Sequence, residues 1–105
     1  MSAFRVVMVT VPKDKAEELS QKIMVAGLAA CINIVDNVKS VYKWKGELKS
    51  EMESLLIIKT ATKKVENLIK SVKKDHPYKI PEVISMTISE GNPDYLNWID
   101  TETRE

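Results

Sequence analysis

An α+β fold of order β-α-β-β-α-β with a closing helix is what this sequence predicts, and three patterns carry the prediction. Two stretches repeat apolar residues at helical spacing, at Ala16, Leu19, Ile23 and Ala26 and again at Val65, Leu68, Ile69 and Val72. Between them runs "LAACINIVDNVKSVYKWKGELKSEMESLLIIKT", which has no helical period and folds back at "WKGE". Short β-branched runs, "FRVVMVTV" and "EVISMTIS", flank the whole.

Taken in order, Phe4 to Val11 is apolar at both parities, as a central strand covered on both faces would be. Pro12 ends it, and Asp14 with Glu17 has the form of a capping box for the first helix. Gly27 offers the left-handed residue that closes that helix. In the next strand Ala30, Ile32 and Ile34 share a face, and the polar pair Asp36-Asn37 marks a bulge before the strand resumes through Val41, Tyr42 and Trp44. Gly46 permits the turn. The return strand alternates Leu48, Met52, Leu56 and Ile58 against Glu47, Lys49, Glu51 and Glu53. Thr62 is the expected N-cap of the second helix, and Pro77 pushes His76 out of the α region to end it. Glu82 to Ser89 is the fourth strand. Asn92 and Pro93 then open the last helix as N-cap and first residue. The order is that of a ferredoxin-like βαββαβ sandwich in a single domain, residues 1–105.

Each hairpin arm spans about fourteen residues, against a usual ~5–6. The helices of one small domain cannot cover that length. The outer half leaves unpaired edges and side chains such as Val41 and Trp44 in water, which is hazardous unless another copy pairs with them. An oligomer is therefore expected from the hairpin alone.

Sixteen basic residues against fifteen acidic ones lack the basic surplus of a nucleic-acid binder. The pairs Lys63-Lys64 and Lys73-Lys74 read as solvated helix faces. Cys31, the single cysteine, makes no internal disulfide and no Cys-x-x-Cys motif. No stretch approaches the ~20 apolar residues of a membrane span, and "MSAFRVVMVTVPKDK" lacks the parts of a signal peptide. The expectation is a cytoplasmic protein without nucleic-acid or membrane partners.

Five stretches, "LAACIN", "SVYKWKGEL", "LLIIKT", "HPYKIPEVI" and "GNPDYLNWI", occur in the order and at the separations found in the CutA divalent-cation tolerance family, which the chain resembles over nearly its whole length. The resemblance implies a ferredoxin-like subunit in a tight homotrimer with hairpins reaching onto neighbouring subunits. It also implies tolerance to copper and other divalent cations, with copper or another divalent cation as the expected bound metal. The family's suggested ligands are a cysteine in the first strand and two histidines before Pro-Tyr. On this chain those positions hold Val9, Asp75 and His76. A carboxylate and an imidazole form a harder donor set than soft Cu(I) favours.

His76 has three readings: a ring that fixes the turn, a metal ligand with Asp75, Glu82 or Cys31, or an acid/base group. No serine–histidine–carboxylate order or metalloprotease motif surrounds it. Cys31 reads either as a small buried thiol or as a soft-metal donor. Trp44, Lys59, Tyr78 and Glu82 recur in the family's signatures and are expected to line a cleft between subunits. Lys59 needs a partner there, for which Glu82 is the candidate. Met8, Met24, Met52 and Met86 occupy core-like positions rather than a methionine cluster. The function expected is a non-catalytic homotrimer that binds divalent metal ions. Its rivals are a regulatory trimer of the PII type, which binds small effectors between subunits, and a small ferredoxin-like enzyme. The tight "WKGE" end disfavours the first. The second would need a glycine-rich loop with an arginine, and Arg5 and Arg104 lie in no such loop.

Overall fold

The computed structural model describes residues 3–104; residues 1, 2 and 105, the outer bounds of the expected domain, lie outside the described residues. Strands β1 (Phe4–Val11), β2 (Cys31–Trp44), β3 (Glu47–Ala61) and β4 (Val83–Thr87) form one antiparallel sheet in the order β2-β3-β1-β4. Helix α1 (Lys13–Val25) follows β1, α2 (Val65–Asp75) follows a 3-10 turn at Thr62–Lys64, and α3 (Pro93–Thr103) ends the chain. The predicted order and fold class hold.

One sheet face carries the main core. Val7, Val9 and Val11 meet Leu56 and Ile58, and α1 and α2 close over them with Ala16, Leu19, Ile23, Leu68 and Val72. The other face of β1, at Val6, Met8 and Thr10, is only half-buried, so the expected double cover is incomplete within one chain. Helix α3 supplies part of that cover, where Tyr95 comes close to Cys31. Further along, Val35, Ile84 and Met86 stay exposed.

Local signals decided most boundaries. Gly27, at φ +72°, closes α1 in a Schellman arrangement, with Leu28 N donating to Ile23 O and Gly27 N to Met24 O. Asn92 caps α3 by accepting from Asp94 N at 3.0 Å, with Pro93 in the first turn. The bulge falls where expected, between Val35 and Val38, with Asn37 at φ +62°. The hairpin turns through Lys45 (φ +51°) and Gly46 (φ +81°), both left-handed as a type I′ turn requires.

Several expectations need correction. Asp14 does not cap α1: Pro12, at φ −54° and ψ 140°, takes the N-cap position, so the helix starts at Lys13 and Asp14 falls inside its first turn. Thr62 does not cap α2, because the 3-10 turn intervenes and the Thr62 amide donates to Ala3 O instead. Strand β4 is shorter than Glu82 to Ser89, since β1 offers it partners only from Arg5 to Val9. Lys64 is buried rather than part of a solvated face, while Met24, Met52 and Met86 are exposed rather than core.

Strand β3 pairs with β1 only from Ser54 onward. Residues 47–53, with their β2 partners, project beyond the sheet as a two-stranded arm and stretch the subunit to 44 Å in its long dimension.

Candidate functional site

Where the arm leaves the sheet, the connection from α2 to β4 crosses beside it. Pro77 holds His76 extended, at ψ 139°, while the His76 amide still closes α2 by donating to Val72 O at 2.8 Å. The His76 ring then turns inward and is 7% exposed. Its Nε2 donates to the Thr10 carbonyl at 2.7 Å, and its Nδ1 accepts from the Tyr78 amide at 3.0 Å. A carbonyl can only accept and an amide can only donate, so the partners define a neutral ring protonated on Nε2. Both nitrogens are occupied, and the ring ties the end of α2 to the end of β1. The Tyr78 ring packs 4.8 Å from it at 50°.

Tyr78 reaches onward to the arm, donating from its hydroxyl to Glu53 Oε2 at 3.0 Å. Desolvation, followed by Glu53 as acceptor and as nearby charge, pushes the Tyr78 phenol up to about 12. Tyr42 is raised as well, by desolvation and then by Glu51 and Glu53. The two-residue turn sets this grouping. It pairs Trp44 with Glu47, Tyr42 with Lys49 and Ser40 with Glu51, so alternate residues of both arms share one face. The result is a cleft of about 890 Å³ between arm and connection, with Trp44, Tyr42, Glu51, Glu53, Tyr78 and Glu82 among its walls.

Of the four residues expected in a cleft, Trp44, Tyr78 and Glu82 meet there and Lys59 does not. Lys59 lies within the sheet opposite Cys31, and its ammonium donates to the Asn33 carboxamide rather than pairing with Glu82. Cys31 is half-buried there, between Lys59 and Tyr95. Thr10, which His76 touches, pairs with Leu55, whereas Cys31 pairs with Lys59. That offset of four positions at ~3.3 Å per residue separates the Cys31 and His76 ends by about 13 Å along the sheet. Asp75 is the last residue of α2, half-buried beside His76. Among the described residues no three His, Cys, Asp or Glu side chains group as a metal site would.

Sequence reasoning passed over Glu53, Glu51 and Tyr42 as site residues. Alternation places the two glutamates on the polar parity of the return strand, opposite Leu48, Met52, Leu56 and Ile58. Counting outward from the turn at Lys45-Gly46 would have set them beside Tyr42 and Trp44. Nothing local foretells that Tyr78 reaches Glu53, since that contact depends on how the connection packs.

Fold and cleft together define a ferredoxin-like α+β subunit with a projecting hairpin arm and an acidic, aromatic cleft at its root. The family model described as CutA1 divalent ion tolerance protein matches residues 5–102. The chain belongs to the CutA1 divalent ion tolerance family. It is 40% identical over 99 residues to the divalent-cation tolerance protein CutA of Thermus thermophilus, covering 93% of this chain and 96% of that one. It is 44% identical over 92 residues to the CutA homolog of Xenopus laevis, 87% of this chain, but spans only 61% of that relative's length. The crystal structure of CutA1 from Oryza sativa superposes with a TM-score of 0.95 at 44% identity, over 99% of this chain and 96% of that one.

Proposed function

We propose that the chain acts as a non-catalytic homotrimer that binds divalent cations, copper among them, and confers tolerance to them in the cytoplasm. The observation that carries this reading is the family match across residues 5–102. Apolar surface supports the trimer. Val35, Ile84 and Met86 lie bare on the second sheet face, Val41 and Leu48 on the arm are 62% and 74% exposed, and β2 has a free edge. A trimer covers all three, and places the cleft of Trp44, Tyr78 and Glu82 at a subunit boundary with Lys59 further along the sheet. No helix is long and apolar enough to cross a membrane among the described residues.

His76 and Asp75 are the proposed metal contacts, with Cys31 as a soft donor reached separately. Metal ligation by His76 requires one ring nitrogen to give up its protein partner, and that cost makes the affinity modest. Calorimetric titration with Cu(II), Zn(II) and reduced Cu(I), repeated on His76→Ala and Cys31→Ser, tests the assignment. Binding weaker than about 100 μM, or ~−5.5 kcal/mol, that neither substitution alters would refute it. Sedimentation tests assembly separately: a monomer at micromolar concentration excludes the trimer.

A further inference from the structure

Glu53 poses an electrostatic problem that the described chain leaves unsolved. Its side chain sits at the base of the arm and the residue is 5% exposed. Its side-chain partner is the neutral hydroxyl of Tyr78. Among the described residues no lysine, arginine or histidine stands within ion-pair distance of it. Buried charges are ordinarily paired or coordinate a cation. Two more carboxylates, Glu51 and Glu82, border the same cleft. Lys49, the cross-strand partner of Tyr42, and Lys79 also line the cleft; both are exposed and form no ion pair with any of the three.

The remaining walls are aromatic. Tyr42 and Trp44 stand two residues apart on one face of β2, and Tyr78 faces them from the connection. Trp44 is 42% exposed and Tyr42 38%, so their rings are open to a guest. Ring faces attract cations, and an alkylammonium adds to that attraction the apolar area its carbon skeleton buries against the rings. The field of the acidic groups is felt locally: after desolvation, Glu51 and Glu53 contribute to raising the Tyr42 phenol. A volume of about 890 Å³ is in the range of small-molecule sites, far larger than a bare ion needs.

We propose that this cleft binds a small organic cation of the alkylammonium class, its charge set against Glu53 and its carbon skeleton against Trp44, Tyr42 and Tyr78. This site is distinct from the proposed metal contacts. It requires neither His76 ring nitrogen to move, and it takes a ligand that a chelator does not remove.

The experiment uses the assembled protein carrying Trp98→Phe, which leaves Trp44 as the single indole of a chain with two tryptophans. Spermidine and tetramethylammonium are titrated with chelator present, against sodium chloride at matched ionic strength. Trp44 emission should change saturably, with a Kd between roughly 0.1 and 10 mM. Glu53→Gln keeps an acceptor for Tyr78 but removes the charge, and should weaken binding at least ten-fold. Trp44→Leu, read by calorimetry, should weaken it by a comparable factor. Glu82→Gln, on an exposed side chain, serves as a milder second charge variant should Glu53→Gln fold poorly, with a several-fold loss expected. No saturation beyond the salt control overturns the proposal, as does unchanged affinity in the charge variants. It is equally overturned if Glu53→Gln dissociates the assembly while neither amine binds, because a neighbouring subunit's side chain then fills the cleft. Metal titrations in the absence of chelator stand apart, so failure of one reading leaves the other identifiable.

Discussion

His76→Ala separates a clamp from a ligand. The substitution deletes two hydrogen bonds, Nε2 to the Thr10 carbonyl at 2.7 Å and the Tyr78 amide to Nδ1 at 3.0 Å, from a ring that is 7% exposed. Each bond is worth about 1 kcal/mol net, and a buried group left without a partner costs ~1–3 kcal/mol. A loss of ~2–4 kcal/mol follows once partial hydration of the vacated space is allowed for. On a domain of this size each kcal/mol moves Tm by ~4–8 °C, so the variant should melt at least ~8 °C lower. Because the protein is proposed to assemble, melting must be compared at one fixed protomer concentration. Two conservative variants then divide the clamp. His76→Asn places a carboxamide oxygen near the Nδ1 position and should recover the Tyr78 contact. His76→Gln can extend an amide toward Thr10 and should recover that one. A partial rescue by each is expected. If His76→Ala costs under ~1 kcal/mol, or if neither amide improves on alanine, the ring is not what joins α2 to β1. Should stability be kept while metal affinity falls, His76 is a ligand instead.

The other expectations are quickly stated. Tyr78 is held near 12 in the folded chain against 10.0 unfolded. Its protonated form is therefore the favoured one, and the stability it contributes is fully present below pH 10 and lost as pH rises through about 12. Alkaline denaturation with phenol absorbance should show this late step, and Tyr78→Phe should abolish it. Gly46→Ala should cost about 1 kcal/mol in urea melts, through backbone strain at φ +81° alone, because nothing lies within 4 Å of the added Cβ. Lys45→Asn should gain up to ~1 kcal/mol at φ +51°. Ser20 buries a hydroxyl that has no partner among the described residues, so Ser20→Ala should be neutral or raise the urea midpoint by an amount equivalent to ~1 kcal/mol.

The fold was legible because each boundary carried its own local signal. Gly27, Asn92-Pro93, Asp36-Asn37 and Lys45-Gly46 act through φ or a nearby amide, and those effects need no tertiary context. Misses came where one local signal competed with another. Asp14 reads as a cap until Pro12, with its fixed φ, takes the position first. Methionines read as core when only their parity is visible, yet Met52 lies on the arm beyond the sheet, where no helix covers it. The site was harder. His76, Tyr78, Trp44 and Glu82 stand in recognisable stretches, but which of them meet is set by packing between segments far apart in sequence. Tyr78 reaches Glu53 across twenty-five positions, and His76 reaches Thr10 across sixty-six. Lys59 shows the same dependence: within the chain its ammonium meets the Asn33 carboxamide rather than Glu82, and no local signal tells which.

The same few contacts also divide the roles within the segment around His76. The histidine spends both ring nitrogens on the protein and fixes the connection in place. That fixed connection holds Tyr78 where its hydroxyl can meet Glu53, and Tyr78 in turn fixes the root of a hairpin arm that has no third strand beside it among the chain's described residues. The cleft's negative charge and open rings are thus borne by residues other than the one that first suggests chemistry. A substitution at His76 should consequently disturb the cleft indirectly, through the position of Tyr78, and a substitution at Glu53 should leave the His76 bonds intact. Amide exchange at Tyr78 distinguishes the two: protection should fall in His76→Ala and persist in Glu53→Gln. The opposite pattern would make Glu53 the anchor and His76 its dependant.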